Sequence, residues 1–494
     1  MRISDAMRTS TDVAIVGAGF GGLGTAIRLL QDGVDDFLVL ERGPDVGGTW
    51  LVNTYPGCQC DVPSNLYSFS FARKPDWTHS YPEQPQILEY LRDCARRFGV
   101  YEHCRFGCEL LDARWDEDQK RWQIATSDGE LSARVLVAAP GLLSEPAVPA
   151  IPGIERFEGT VFHSNRWDHE HDLTGERVAV IGTGATAVQI VPRIQPIVER
   201  LHVFQRTAAW VLPHADRPIG EGLQRLYRRA PRVQRLARRG VYLLRESYVI
   251  AMAKRPGALR LFELNARLHM RRQVRDAELR RRLKPGYQIG CKRILLSNEW
   301  YPALTEPNTE LVTDPIREVT AKGIVTADGI ERELDSIVLA TGFSPTDPPI
   351  ARRLRGRGGR TLAEVWDGSP RAYLGTAIAG FPNLFLLYGP NSNLGHSSIV
   401  YMLEAQIHYV RRALDLMRRG GVAALEVREE IQEAYSAEMQ RDLAGTVWNT
   451  GGCGSWYFDR TGRNSIMWPD FTFRFSRRTR EVDPRDFHLD RAAA

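Results

Sequence analysis

The chain has 494 residues, 43% hydrophobic and 25% charged, with a formal net charge of +5. This is ordinary globular composition for roughly two to four domains, and the length allows a large core without disulfide staples. No run approaches the roughly 18 apolar residues of a membrane-spanning helix, and no nucleic-acid-binding signature accompanies the modest charge.

The N-terminus, MRISDAMRTSTD, is polar and has no apolar leader segment. The expectation is a soluble, cytoplasmic protein without nucleic-acid partners. Seven cysteines are scattered along the chain. Cys58 and Cys60 form CxC and Cys104 and Cys108 form CxxxC, but no second pair or His cluster completes a zinc site. Reduced intracellular thiols and no metal are therefore expected.

The first ordered element is an apolar, β-rich run, Val13 to Val16, leading into Gly17-x-Gly19-x-x-Gly22 and a helical pattern. Gly17 permits a tight turn, Gly19 lets backbone approach a pyrophosphate, and Gly22 allows close helix–strand packing. The helix N-terminus offers unpaired N–H groups to phosphate. A second apolar run, FLVL, ends in Glu41, an acceptor for a ribose diol, with Arg42 next to it.

Further on, RVLVAAPGLLSEPAVPAIPG reads as a strand and a crossing into a second unit. FEGTVFHSNRWD follows, beginning at Phe157. Then the strand Val178 to Ile181 enters Gly182-x-Gly184-x-x-Ala187, the permitted variant of the same loop. The strand after it, LHVFQ, ends on Arg206 and Thr207 instead of an acid. Arginine there suits a 2′-phosphate, which an acid would repel. The two loops thus point to FAD at the first site and NADPH at the second.

Most of the basic excess lies between about Arg217 and Lys284. That stretch reads as amphipathic helices with Arg on the wet face, a solvated helical insert. DSIVLATGFSP then reads as the return crossing, after which FPNLFLLYGPNSNLGHSSIVYMLEAQIHYV supplies a last strand, a loop and a helix. The fold class is α/β, with two dinucleotide-binding, Rossmann-like domains. A discontinuous FAD domain occupies residues 1–150 and 335–494, the latter ending in a C-terminal lid segment. An NADP domain occupies residues 151–334 and carries the insert at about 217–284. No CxxxxC dithiol stands in the first domain, which argues against a disulfide reductase.

Phe157-x-Gly159-x-x-x-His163-x-x-x-Trp167-Asp168 resembles the fingerprint of type I Baeyer–Villiger monooxygenases. DVGGTW (Asp45 to Trp50), YPGCQCDVPS (Tyr55 to Ser64), PQILEYL (Pro85 to Leu91), IGCKRILLSNEWY (Ile289 to Tyr301) and ATGF agree, so the likeness runs from about residue 11 to about 470. Ala139-Pro140-Gly141 departs from the ATG of many relatives. The resemblance implies insertion of one oxygen atom of O2 beside a ketone carbonyl, by way of a C4a-peroxyflavin, to give an ester or lactone. The alternative within the superfamily is N- or S-oxygenation, against which Trp167-Asp168 argues. By the same resemblance Arg293 is the active-site cation and Asp61 its partner. Thr49, Trp50 and Tyr67 contact FAD, as does Phe20 in the first loop. Thr183, Thr186 and Gln189 contact the nicotinamide cofactor, and Lys292 joins Arg206 and Thr207 at the 2′-phosphate. His163 is expected to fix the interdomain linker instead of carrying protons, and Trp456 to belong to a lid. The expected assembly is a monomer or homodimer.

Overall fold

The computed structural model describes residues 9–491. The polar N-terminal stretch lies mostly outside them. The strand Ser10–Val16 sits in the middle of the first sheet, between Phe37–Glu41 and Gly129–Ala138, parallel to both. Burial on both faces explains its unbroken apolar run. Two antiparallel strands, Leu110–Asp116 and Arg121–Thr126, extend the sheet on the far side of Gly129–Ala138.

The chain returns to this sheet near its end. Leu384–Leu386 pairs in parallel with Leu136–Ala138. The helix Ile399–Gly420 then packs on the helix Phe20–Gln31 so closely that a Cβ on Gly24 would stand 2.8 Å from Ile407 Cδ1. A discontinuous first unit is therefore a matter of strand pairing.

The second sheet has five parallel strands in the order Thr309–Val312, Arg200–Phe204, Arg177–Ile181, Ser336–Leu339, Thr160–His163. Ser336–Leu339 is interior to it, so the return crossing begins after Leu339 and not at residue 335. The fingerprint run also belongs here. TVFH forms the edge strand, and Gly159 precedes it where a Cβ would meet Asp335 O at 2.2 Å. No other residue fits that approach.

The basic insert forms helices Glu221–Arg229, Pro231–Val249, Arg260–Gln273 and Ala277–Arg282, linked in part by a π-helical turn at Ile250–Lys254. The expected wet face is present, with Arg232, Arg235 and Arg239 exposed, but it also carries leucines and does not take every arginine. On Pro231–Val249 the inner side carries Gln234, Arg238, Arg245 and Glu246, while Leu236, Leu243 and Leu244 are exposed. Periodicity separates two faces of a helix but does not say which one meets the core. Among the described residues, no helix is long and apolar enough to cross a membrane.

Candidate active site

The first glycine loop closes tightly. Gly17 sits at φ +96°, and a Cβ on Gly22 would fall 1.8 Å from Gly17 O. Gly19 caps the following helix without a side chain, and its Cβ direction meets only Gly48 backbone, at 3.5 Å. The groove between Gly19 and Gly48 is thus walled by backbone, which fits a pyrophosphate. Glu41 is buried at the strand end. Its two oxygens accept from Ala18 N and Gly43 N, each at 2.7 Å. Arg42 turns away from the groove, pairing with Glu145 and the Ser144 carbonyl. Beside the loop, Phe20 packs edge-on against Tyr67, and Trp50 Nε1 donates to the Tyr67 hydroxyl at 3.0 Å. Thr49 opens the short helix that carries Trp50.

The second loop is built alike but left open. Gly182 is at φ +124°, pressed on the Ala340 carbonyl, whereas Gly184 has nothing within 4 Å of its Cβ direction. Thr183 Oγ1 donates to Thr207 O at 2.9 Å, tying the loop to the end of the next strand. Arg206 and Thr207 are exposed, and Arg206 has no acid at ion-pair distance among the described residues. Burial, and then the like charge of Arg206, holds the Lys292 ammonium below the usual lysine range. Two cations kept in mutual repulsion form a place for an anion, and a 2′-phosphate fits it. Gln189, on the helix of this loop, reaches across to the first unit. It accepts from the Tyr55 hydroxyl at 3.0 Å and donates to Gln59 O at 2.9 Å, with Thr186 also within reach of Tyr55.

Asp61 and Arg293 meet at the seam. Arg293 Nε donates to Asp61 Oδ2 at 2.7 Å and Nη2 to Oδ1 at 2.6 Å, a bidentate pair with 31% of each side chain exposed. Nη1 donates to the Leu394 carbonyl at 3.1 Å. Three of five guanidinium N–H groups are thereby used, and two stay available. Burial alone would raise the Asp61 carboxyl; the Arg293 guanidinium overrides it and holds the group below the usual carboxylate range. Against the opposing cost of burial, Asp61 in turn pushes Arg293 upward, so the cation is permanent.

Several further residues complete the setting. Arg245, from the insert, donates to the Asp61 carbonyl at 3.3 Å. The partly buried Tyr388 and the buried Tyr457 phenols both feel the charge of Arg293. Trp456 itself is 42% exposed and stacks edge-on with Tyr457, so Tyr457 is the aromatic that lies near the cation. His396 is buried, with Nε2 3.3 Å from Glu246 Oε1. Arg245, Tyr388 and Tyr457 carry no local sequence signal, because each is brought in from a distant part of the chain.

His163 sits apart from this pair. Its Nδ1 accepts from Asn165 N at 3.1 Å, and Asn165 Nδ2 donates to Asn53 Oδ1 of the first unit at 3.3 Å. Burial lowers its pKa, which keeps the ring neutral at neutral pH. Trp167 closes edge-on over Phe162 at 5.0 Å. The expectation of uniformly reduced thiols fails at one place. Cys291 and Cys453 form a disulfide across 162 residues of sequence, joining the loop of Arg293 to the segment that carries Trp456. Spacing could not reveal that pairing; the other five cysteines are free.

Residues 10–354 match the flavin-binding monooxygenase-like family. A Baeyer–Villiger monooxygenase of Pseudomonas aeruginosa is 49% identical, over 97% of this chain and 91% of that protein. The closed crystal structure of cyclohexanone monooxygenase superposes with a TM-score of 0.88 at 31% identity, covering 98% of this chain and 100% of that one. Oxidized steroid monooxygenase bound to NADP gives 0.86 at 33% identity, with 98% and 100% coverage. The chain belongs to the Baeyer–Villiger monooxygenases of the flavin-binding monooxygenase-like family, enzymes that use FAD and NADPH.

Proposed function

We propose that the Asp61–Arg293 pair is the electrostatic centre at which this enzyme oxygenates a small-molecule ketone with O2. The observation that supports this reading is the bidentate pair itself, joining a residue of each unit with two guanidinium N–H groups still free to donate. When bound, FAD activates oxygen and NADPH supplies the hydride that reduces it. Every other contribution comes from the chain. Gly17, Gly19 and Gly22 admit the flavin pyrophosphate, Glu41 faces its ribose, and Phe20, Thr49, Trp50 and Tyr67 flank it. Gly182, Thr183, Gly184, Thr186 and Gln189 receive the nicotinamide cofactor, with Arg206, Thr207 and Lys292 on its 2′-phosphate.

Arg293 stabilises the negative charge that grows on the substrate oxygen as its carbonyl carbon turns tetrahedral. A fixed cation in a water-poor cleft needs no reorganisation at that moment. Asp61 orients the guanidinium and offsets part of its charge. His163 positions the two units through Asn165, and Trp456 covers the cleft as part of the lid. This reading includes a monomer or homodimer at work in the cytoplasm.

Arg293→Ala is the direct test. Flavin content and reduction by NADPH should persist while ester formation falls by roughly 10²–10³-fold, the cost typical of losing one such donor. Product analysis on matched ketone, sulfide and amine substrates reads it. An unchanged ester yield would remove Arg293 from the chemistry, and product from amines alone would favour N-oxygenation.

A further inference from the structure

The insert helix Pro231–Val249 turns a mixed face inward, where Val241, Tyr242 and Val249 pack beside Gln234, Arg238, Arg245 and Glu246. Arg238 donates to the carbonyl of Asn65 at 2.7 Å, Arg245 reaches the Asp61 carbonyl, and Glu246 accepts from Thr472 N at 2.8 Å. Its outer face carries Leu236, 71% exposed, with Leu243 and Leu244 both about two turns on along the same stripe. The helix Arg260–Gln273 also exposes leucines, with Leu261, 74% exposed, followed by Leu264 and Leu268. Single exposed leucines are normal surface; leucines recurring at helical spacing along one helix form a face that wants a partner.

Charge selects the partner. Residues 221–273 contain fourteen Lys and Arg against three Glu, a net +11, and one of those glutamates, Glu246, is buried. The whole chain carries only +5, which leaves the rest at −6. Arg232, Arg235 and Arg239 flank the leucine stripe and have no acid at ion-pair distance among the described residues. Two copies of this face would set Arg232, Arg235 and Arg239 against their counterparts, which opposes self-association. A nucleic acid would satisfy the arginines but leave the leucines in water.

We propose that this face docks the enzyme on an anionic lipid surface. The leucines enter the headgroup–acyl boundary and the arginines pair with lipid phosphates, the arrangement of an interfacial helix. The inner face holds the seam of the active site, so docking sets the cleft beside an apolar phase.

The test uses the FAD-loaded full chain and sedimentation with vesicles of phosphatidylglycerol or of phosphatidylcholine. The expected result is binding to phosphatidylglycerol at low salt, at least ~10-fold weaker on phosphatidylcholine, and released by high salt. The triple change Leu236→Ser, Leu243→Ser, Leu244→Ser should lower vesicle affinity by at least ~10-fold while FAD content and NADPH oxidation stay as they were. A single change, Leu236→Glu, guards against loss of folding in the triple. No binding to phosphatidylglycerol overturns the proposal. So does binding that the leucine changes leave intact, which would be a charge effect alone. A dimer in light scattering that the same changes dissociate would assign the face to a second copy instead.

Discussion

The two glycine loops have nearly the same sequence pattern and opposite surroundings. At the first, Gly22 is locked against Gly17, Glu41 is buried with both oxygens committed, and aromatic rings close one side. At the second, Gly184 faces open space and the cations Arg206 and Lys292 remain without acid partners. A loop backed by close packing is expected to hold its ligand and an open one with a charged rim to exchange it, so one motif is used twice with different surroundings.

That contrast can be broken most sharply at the glycines. Gly22→Ala should yield protein without flavin or fail to fold, because the new methyl lies inside contact distance of backbone. Gly184→Ala should fold, keep its flavin and change only the KM for NADPH; absorbance spectra and stopped-flow reduction check both. If both variants lose flavin alike, the distinction between sealed and open loops fails.

The charged rim is the next effect. Arg206→Ala and Lys292→Ala should each weaken NADPH by about 1.5–3 kcal/mol, the range for a hydrogen bond to a charged group. Use of NADH should hardly move. Steady-state KM for both cofactors reads this, and equal losses on both would mean the residues do not face the 2′-phosphate.

The smallest effect concerns His163. Burial lowers its pKa in the folded chain, so between that value and the usual one near 6.5 the unfolded chain binds the proton and the folded chain does not. Its contribution to stability is therefore complete above about pH 6.5 and is lost as pH falls through the folded value. His163→Gln should flatten the fall of Tm below pH 6.5 by on the order of 1–2 °C. His202, His214 and His396 are lowered for the same reason and keep most of the slope.

The loops were legible because their chemistry is local. A turn glycine, a cap and an acid or arginine at the next strand end all fall within one strand–helix–strand unit. Arg293 and Asp61 were visible only through resemblance, since 232 residues separate them. Tyr457, Arg245, Gln189's bridge to Tyr55 and the Cys291–Cys453 bond were not legible at all: each depends on how the two units meet. The insert shows a third limit. Its amphipathic period was plain, but nothing in that period showed that Gln234, Arg238, Arg245 and Glu246 turn inward beside Val241, Tyr242 and Val249.

The Cys291–Cys453 bond also sets a leash. Trp456 lies three residues past Cys453, so while the bond is closed its Cα stays within about 11 Å of that anchor, the reach of three extended residues. Opening moves the anchor back to the helix Val447–Thr450, six residues away, and roughly doubles the radius to about 20 Å. The Trp456 segment is thus held more closely to the Arg293 loop in the oxidised chain than in the reduced one.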